Sequence, residues 1–287
     1  MNIQIRPVSP ADVDEIGRIL YEAFSGIADR HNFPQDFPSL DVALQMANVC
    51  IHNPDVWGVV AESEGKIVGS NFLWEQNEVV GVGPITIDPK IQSKGVGKKL
   101  MQAVIERGKD AAGIRLVQDA FNSASMSLYA GLGFDIKEPL VIIEGKIEGQ
   151  PAAGVEIRRM EEKDFAACGE LCDNVHGFSR LNELRQTAQM FPAFVAVREN
   201  RVVGYASAPV MWQLNHAVAE TTEDMQALLS GAAEQLQQPL SFLLPTRQSD
   251  LFRWCLSKGM KVVKPMSLMS MGGYIEPRGC FLPSVLY

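Results

Sequence analysis

The residues with the clearest chemistry lie in one segment, residues 85–100, which reads as a strand, a tight loop and then a helix. Gly95 and Gly97 carry no side chain, so a phosphate can approach the backbone closely there. The first amides of a helix have no partner within the helix, and with the helix dipole they form an anion site. Three lysines add positive charge around this place: Lys94, Lys98 and Lys99. The segment therefore predicts a phosphate-binding loop.

Two common phosphate loops do not fit this segment. A Walker A loop has a glycine four residues before its Gly-Lys pair and a Ser or Thr after it, and both are missing here. A dinucleotide fingerprint has a third glycine at the position that Leu100 holds. What remains is the spacing Gln92-x-x-Gly95-x-Gly97 after a strand. The simplest structural interpretation of this spacing is a glycine turn at the start of a basic helix.

A second group of residues follows at the next predicted helix, residues 123–132. Asn122 precedes this helix and Tyr129 lies seven residues further on, so the two share one helix face. The sequence Leu-Gly-Phe closes the helix at residues 132–134.

Together the two motifs resemble those of the GNAT superfamily of N-acyltransferases, which has a Q/R-x-x-G-x-G/A pyrophosphate loop and a later helix with an Asn and a Leu-Tyr pair. The strand predicted at residues 115–120 lies between the motifs, as the superfamily order requires. The resemblance covers about residues 1–145. It implies an α/β (α+β) fold with a mixed, mostly antiparallel sheet flanked by helices, and acetyl-CoA as co-substrate.

The resemblance also implies roles for individual residues. The strand before the loop would pair with the pantetheine arm of the acyl-CoA, and Asn122 would hydrogen-bond to the same arm. Tyr129 would lie beside the thioester sulfur, where a hydroxyl with an ordinary pKa near 10 suits proton donation to the leaving thiolate. The alternative for Tyr129 is packing against the sheet. The remaining cofactor-binding residues would be Ile85, Thr86, Ile87, Gln92, Ser93, Lys94, Gly95, Val96, Gly97 and Lys98.

The general base that accepts a proton from the amine is less defined. Glu75 and Glu78 lie in the turn before the central strand, near the place where family members often keep a carboxylate, and we select Glu75 as the catalytic candidate. Acidic residues in turns are commonly solvated, which is the alternative for both. His31 lies near Phe33 and Phe37 in the segment that typically lines the acceptor pocket. The acceptor itself is predicted only as a small-molecule or peptide amine.

The elements that must position these residues follow from hydrophobic spacing. Ser9, Pro10 and Asp12 predict a capped first helix, and a second helix is predicted over about residues 40–51. Strands at residues 57–62 and 67–74 form a hairpin, and a further strand covers residues 79–87. Helices over about residues 95–109 and 123–132 and strands at 114–120 and 134–143 complete the half.

The second half of the chain repeats patterns of the first. Residues 155–158 echo residues 3–6, and the paired strand patterns at 194–197 and 201–204 echo those at 59–62 and 66–69. These matches in one order predict an internal duplication; two unrelated α/β domains are the alternative. We predict a GNAT-like domain at residues 1–145, a Pro- and Gly-rich linker at 146–154, and a second GNAT-like domain at 155–287.

The second domain departs from the family pattern at the expected loop. Its helix opens at residues 220–225 with acidic residues, which oppose phosphate, and Thr222 is the predicted cap. Cys255 stands at the position that matches Tyr129, and Gln248 at the position that matches Asn122. We therefore predict a degenerate copy that does not bind coenzyme A.

Composition sets the remaining expectations. The chain has 287 residues, 46% of them hydrophobic, and a formal net charge of −8, which argues against nucleic acid or an anionic membrane as partner. No apolar run is long enough to span a bilayer, and a cytoplasmic location is expected. Cys168, Cys172 and His176 are spaced by one helical turn each, but a fourth ligand is missing, so no metal is predicted. The oligomeric state is not predicted.

Three functions remain open at this stage. The first is an active N-acetyltransferase, which the presence of Tyr129 beside an intact loop favours. The second is a non-catalytic acyl-CoA-binding or sensor protein. The third is a scaffold protein whose glycine loop binds no coenzyme A.

Overall fold

The computed structural model describes residues 2–91, 95–147 and 154–286. The chain divides into two compact units, one formed by Met1–Asp135 with Ser270–Gly272 and the other by Ile136–Met269 with Gly273–Tyr287. The division therefore falls ten residues before the boundary predicted at residue 145, because most of the strand that follows residue 134 groups with the second unit. Residues 148–153 of the predicted linker lie outside the described residues.

The first unit contains four helices and six strands among its described residues. The helices are α1 (Val13–His31), α2 (Leu40–His52), α3 (Val96–Arg107) and α4 (Ser123–Gly131). The strands are β1 (Gln4–Pro7), β2 (Val56–Ser63), β3 (Lys66–Trp74), β4 (Val79–Val82), β5 (Thr86–Ile87) and β6 (Gly113–Asp119). The strand order is β1-β2-β3-β4-β6, with β5 also paired to β3, and only β4 and β6 run parallel.

Strand alternation divides the core of the first unit between the two faces of its sheet. Val60 and Phe72 pack with Ile16 of α1 and with residues of α2. The adjacent Val59 packs on the opposite face with Leu100 of α3. The helices α1 and α2 therefore cover one face of the sheet, and α3 covers the other.

The second unit repeats the same order of elements. Its helices are α5 (Phe165–His176), α6 (Leu181–Met190), α7 (Thr222–Leu236) and α8 (Ser249–Ser257). Its strands are β7 (Asp135–Gly145), β8 (Glu156–Arg159), β9 (Phe194–Arg198), β10 (Arg201–Ala206), β11 (Ala217–Ala219), β12 (Leu240–Pro245), β13 (Lys261–Gly272) and β14 (Cys280–Leu282). Five of these strands form one sheet in the order β14-β11-β10-β9-β8, and β7 pairs with β12. The predicted fold class, a mostly antiparallel mixed sheet flanked by helices, is confirmed.

The repeated sequence pattern at the start of each unit has the same structural role in both. Arg6 binds both carboxylate oxygens of Asp12, with distances of 2.7 and 2.9 Å. Arg158 binds Asp164 in the same way, at 2.6 and 2.8 Å. In each unit the carboxylate also accepts a backbone amide three residues upstream, so it fixes the start of the first long helix to the first strand.

Across the described residues, no helix is both long enough and apolar enough to cross a membrane.

Candidate active site

The candidate site begins where two parallel strands separate. The ladder between β4 and β6 joins Val79, Val80 and Gly81 to residues 113–115. Beyond it, β5 pairs with β3 through Ser70 and Gly69, while β6 continues to Asp119. Within the described part of the chain, β3 is the only ladder partner of β5. The outer edge of β5 therefore presents backbone donors and acceptors that an extended ligand can bind.

Along the chain, α3 is the next α-helix after this strand, and Gly95 forms its N-cap. Gly95 has φ +78°, a left-handed conformation that side chains with a Cβ disfavour. A Cβ built on Gly95 would have no heavy atom within 4 Å, so open space lies in front of the first turn of α3. The amides of this turn have no partner within the helix and can bind an anion. The preceding predicted site residues, Gln92, Ser93 and Lys94, lie outside the described residues.

The structure gives Gly97 a role that the sequence did not indicate. A Cβ at Gly97 would lie 3.0 Å from Ile87 Cδ1 and 3.1 Å from Leu128 Cδ2. The glycine therefore lets α3 pack closely on β5 and α4, and the side chain of Val96 is likewise buried in the core. Both residues position the site through packing, and only their backbone amides are available to a ligand.

The lysines near this turn have different surroundings. Lys98 is exposed. Lys99 donates from Nζ to the backbone carbonyl of Ile3, the residue before β1, at 2.9 Å. Its ammonium group is therefore bound there and does not lie in the open space before Gly95. The predicted role of Lys99 in phosphate binding is therefore not supported by its contacts.

Asn122 lies at the start of α4 and Tyr129 lies within the helix, as predicted. Asn122 is the N-cap, and its Oδ1 accepts a hydrogen bond from the amide of Ser125 at 3.3 Å. That bond leaves the Nδ2 group as the donor with which Asn122 can bind a ligand. Ser125 is itself fixed, because its hydroxyl donates to Gln118 Oε1 at 2.7 Å.

Tyr129 is buried, with 6% of its surface exposed, and its ring packs edge-on against Phe134 at a centroid distance of 6.4 Å. Burial raises the pKa of the Tyr129 hydroxyl above its ordinary value, and the negative charge of Asp119 raises this pKa further. The phenol is protonated at neutral pH, as an acid catalyst must be, and burial makes it a weaker acid than a solvated tyrosine.

An aromatic group lies directly before Asn122. Phe33 stacks on Phe121 with centroids 4.3 Å apart, and His31 lies 5.0 Å from the same ring. The loop after α1 is thereby brought next to the start of α4. Sequence analysis missed Phe121, although its position beside Asn122 was an available signal. Phe37, predicted to neighbour His31, instead packs against Phe24 in the core.

Glu75, the predicted catalytic base, is held in an ion pair. Both of its carboxylate oxygens accept from Arg107 at the end of α3, at 2.8 and 2.9 Å. The guanidinium also lies 5.8 Å from the ring centroid of Trp57, and the ion pair raises the pKa of Arg107. A carboxylate bound on both oxygens is poorly placed to accept a proton, so these contacts favour a structural role for Glu75. Glu78 is exposed in the same turn.

Comparison with known proteins agrees with this arrangement. Residues 16–134 match the Acetyltransferase (GNAT) family. The matched stretch contains the edge of β5, the start of α3 and the helix α4. No curated protein sequence matches the chain.

Three solved structures are similar over nearly the whole chain. A protein from Pyrococcus horikoshii, named only provisionally as an acetyltransferase, has a TM-score of 0.74 and 20% identity, and the match covers 99% of this chain and 94% of that one. A GCN5-related N-acetyltransferase from Sphaerobacter thermophilus has a TM-score of 0.62 and 14% identity, covering 97% and 98%. A tandem GNAT protein from the clavulanic acid biosynthesis pathway has a TM-score of 0.59 and 12% identity, covering 94% and 98%. At these identities the likeness concerns the fold.

The second unit differs from the first at the corresponding strand edge. Gly69 of β3 faces Ile87, and Gly204 of β10 faces Ala219, so β11 takes the place of β5. The outer edge of β11 pairs with β14 over residues 280–282. Gln248, the N-cap of α8, donates to the carbonyl of Phe281 at 2.6 Å and accepts from its amide at 3.1 Å.

The helix that follows β11 is capped as well. Thr221 accepts from the amide of Asp224 at 3.1 Å, so the cap is Thr221 and the prediction of Thr222 was wrong by one residue. Asp224 is buried and bound to Arg198 at 2.6 Å, while Glu220 pairs with Arg201. Cys255, at the position matching Tyr129, is fully buried.

Proposed function

We propose that the protein is an N-acetyltransferase that transfers the acetyl group of acetyl-CoA to an amine of a small molecule or peptide. The observation that carries the proposal is the edge of β5, which has no strand partner among the described residues and is followed along the chain by the open first turn of α3, in a stretch that matches the GNAT family. A ligand with an extended amide-bearing arm and a pyrophosphate at its end has the chemistry that these two features bind.

The residues of the first unit fit such a ligand. The backbone at Ile85, Thr86 and Ile87 lies along the edge of β5, where it can pair with a pantetheine arm. The amides of residues 95–97 and the exposed Lys98 are available to the pyrophosphate. Asn122 contributes its Nδ2 group, since Oδ1 caps α4. Gln92, Ser93 and Lys94 remain in the proposed loop on the evidence of the sequence motif alone.

The chemistry requires two proton transfers. Acetyl-CoA supplies a thioester whose carbonyl carbon the lone pair of the amine nitrogen attacks, and the carbon–sulfur bond then breaks. Tyr129 is the proposed donor of a proton to the departing sulfur, because its phenol carries a proton at neutral pH. The amine must lose a proton during the reaction. His31 lies beside Phe121 at the start of α4 and is better placed to accept this proton than Glu75, because both carboxylate oxygens of Glu75 are bound by Arg107.

We further propose that the second unit binds no coenzyme A. Its edge at β11, which corresponds to the edge of β5, already pairs with β14, and Gln248 binds the backbone of β14 on both its donor and its acceptor. The chain's own strand thus takes the place along β11 that an extended ligand takes along β5. Acidic residues at positions 220–224 also oppose a phosphate, and the strand is an additional and more direct obstacle.

Calorimetric titration with acetyl-CoA, followed by thiol release on an amine panel, tests the proposal. Lys98→Ala should weaken binding because Lys98 is exposed beside the first turn, whereas Lys99→Ala is the matched control because Lys99 binds the carbonyl of Ile3. Absence of acetyl-CoA binding would overturn the proposal. Binding without turnover on any amine would support the alternative of an acyl-CoA sensor.

A further inference from the structure

The second unit contains a closed group of metal-ligating side chains far along the sequence from the proposed acyl-CoA residues. Cys172, His176 and His216 each offer one ligand atom, and these atoms all lie within 4.8 Å of one another. The residues are 1%, 0% and 3% exposed. The prediction of no metal considered only Cys168, Cys172 and His176, because nothing in the sequence indicated that His216 would join them.

The fold holds the three residues by independent means. Cys172 and His176 are four residues apart on α5, so they lie one above the other on one helix face. His216 precedes β11, and its backbone amide donates to Ser207 Oγ at 2.8 Å. The ring of His176 packs edge-on against Phe281 at 5.2 Å, which restricts its orientation.

The surroundings of His216 resemble those of a metal-binding imidazole. Its Nδ1 lies 2.9 Å from the hydroxyl of the buried Tyr205. Histidine ligands commonly bind an outer partner through one ring nitrogen, which fixes the ring and directs the other nitrogen at the metal. The Nε2 atom is therefore the one with which His216 would bind a metal.

The charges around the group constrain which metal it can hold. Arg180 forms a buried ion pair with Glu183, and the same guanidinium nitrogen donates to Ser284 at 2.9 Å. That pair is neutral overall. One thiolate and two neutral imidazoles carry a single negative charge, which a metal ion of charge +1 balances. An uncompensated charge in a closed interior is costly.

We propose that Cys172, His176 and His216 form a site for a copper ion bound as Cu(I). A thiolate and imidazoles are ligands that suit this soft ion, and a Cys-His-His set of three is characteristic of trigonal copper sites. The ion replaces the thiol proton of Cys172, which leaves to solvent, so the loaded site is neutral. A divalent ion such as Zn²⁺ would leave one positive charge and prefers a fourth ligand.

The required movement is small. In a trigonal site with bond lengths like those of zinc, the ligand atoms would be separated by roughly 3.5–3.7 Å. The present separations, of 4.8 Å or less, therefore need to shorten by about an ångström, which side-chain rotation can supply. The proposal is independent of the acetyltransferase function, because it uses only residues of the second unit.

Anaerobic titration of the full chain with Cu(I), in competition with a chromogenic Cu(I) chelator, tests the site. One tight equivalent is expected in the wild type, and Cys172→Ser should weaken it by more than the roughly 10- to 100-fold that loss of an outer partner costs. Cys168→Ser is the matched control, since Cys168 is equally buried on the same helix but lies outside the group. The affinity of the Tyr205→Phe variant for Cu(I) should lie between those of the Cys172→Ser and Cys168→Ser variants.

X-ray absorption on the copper-loaded wild type keeps the proposal testable if a variant fails to fold. One sulfur and two nitrogen neighbours are expected around the metal. Absence of a stoichiometric copper in the wild type would overturn the proposal, as would unchanged affinity in a folded Cys172→Ser protein. Tight binding of Zn²⁺ with no binding of Cu(I) would also overturn it.

Discussion

Gly95→Val is the substitution that tests the proposed pyrophosphate site most directly. Gly95 is exposed at the N-cap of α3 with φ +78°, and a Cβ there would extend into open space. The valine side chain would therefore occupy the volume in front of the first-turn amides without a clash inside the protein. A phosphate displaced from one of those amides loses a hydrogen bond to a charged group, worth about 1.5–3 kcal/mol. The expected result is a rise in the Kd for acetyl-CoA of roughly 10- to 150-fold.

The same substitution also strains the backbone, by about 1–2 kcal/mol for a left-handed residue with a Cβ. Gly65→Val separates the two effects, because Gly65 has φ +74°, also has open space around its Cβ position, and lies in the turn between β2 and β3. Calorimetry should show a normal Kd for the Gly65 variant and a weakened one for the Gly95 variant. An unchanged Kd in Gly95→Val would refute the reasoning, and equal weakening in both would show that the effect is only general destabilisation.

The other predictions concern turnover, stoichiometry and stability. Tyr129→Phe should lower kcat by about 100-fold or more while changing the Kd for acetyl-CoA less, and full kcat in steady-state assays would leave Tyr129 as a packing residue. Native mass spectrometry should show one coenzyme A per chain, and a second of comparable affinity would contradict the role given to β14. Arg6 lowers the pKa of Asp12, so this ion pair stabilises the fold above about pH 4 and loses its effect as the pH falls further. Asp12→Asn should therefore cost roughly 1–3 kcal/mol in denaturant unfolding at pH 7, towards the lower end because Arg6 is partly exposed, and a pH-independent difference would exclude that cause.

Local sequence signals predicted much of the fold. The helices α2 to α4 and the hairpin of β2 and β3 begin and end close to the predicted residues, because caps, glycines and hydrophobic spacing act over a few neighbouring positions. The repeated pattern at residues 3–6 and 155–158 predicted two equivalent strands, and the structure adds that both fix a carboxylate with an arginine. The fold class was the one that the resemblance to the GNAT superfamily implied.

For the candidate site, the reason given from the sequence agrees with the structure at Gly95 and differs from it at Gly97. Gly95 was selected for close backbone approach, and its left-handed conformation and open surroundings agree with that reason. Gly97 was selected for the same reason, yet it permits packing against Ile87 and Leu128. Both glycines look alike in a sequence, because the feature that distinguishes them is which distant side chains surround the Cβ position.

Three features could be predicted from the sequence alone, because they depend on neighbours along the chain. They are the motif at residues 92–97, the placement of Asn122 and Tyr129 on one helix, and the order of elements in each half. Three contacts could be found only in the folded chain: Arg107 binds Glu75, β14 pairs with β11, and His216 lies beside Cys172 and His176. Each of those contacts joins residues about thirty or more positions apart, and such pairs are selected by packing of the whole unit rather than by any local propensity.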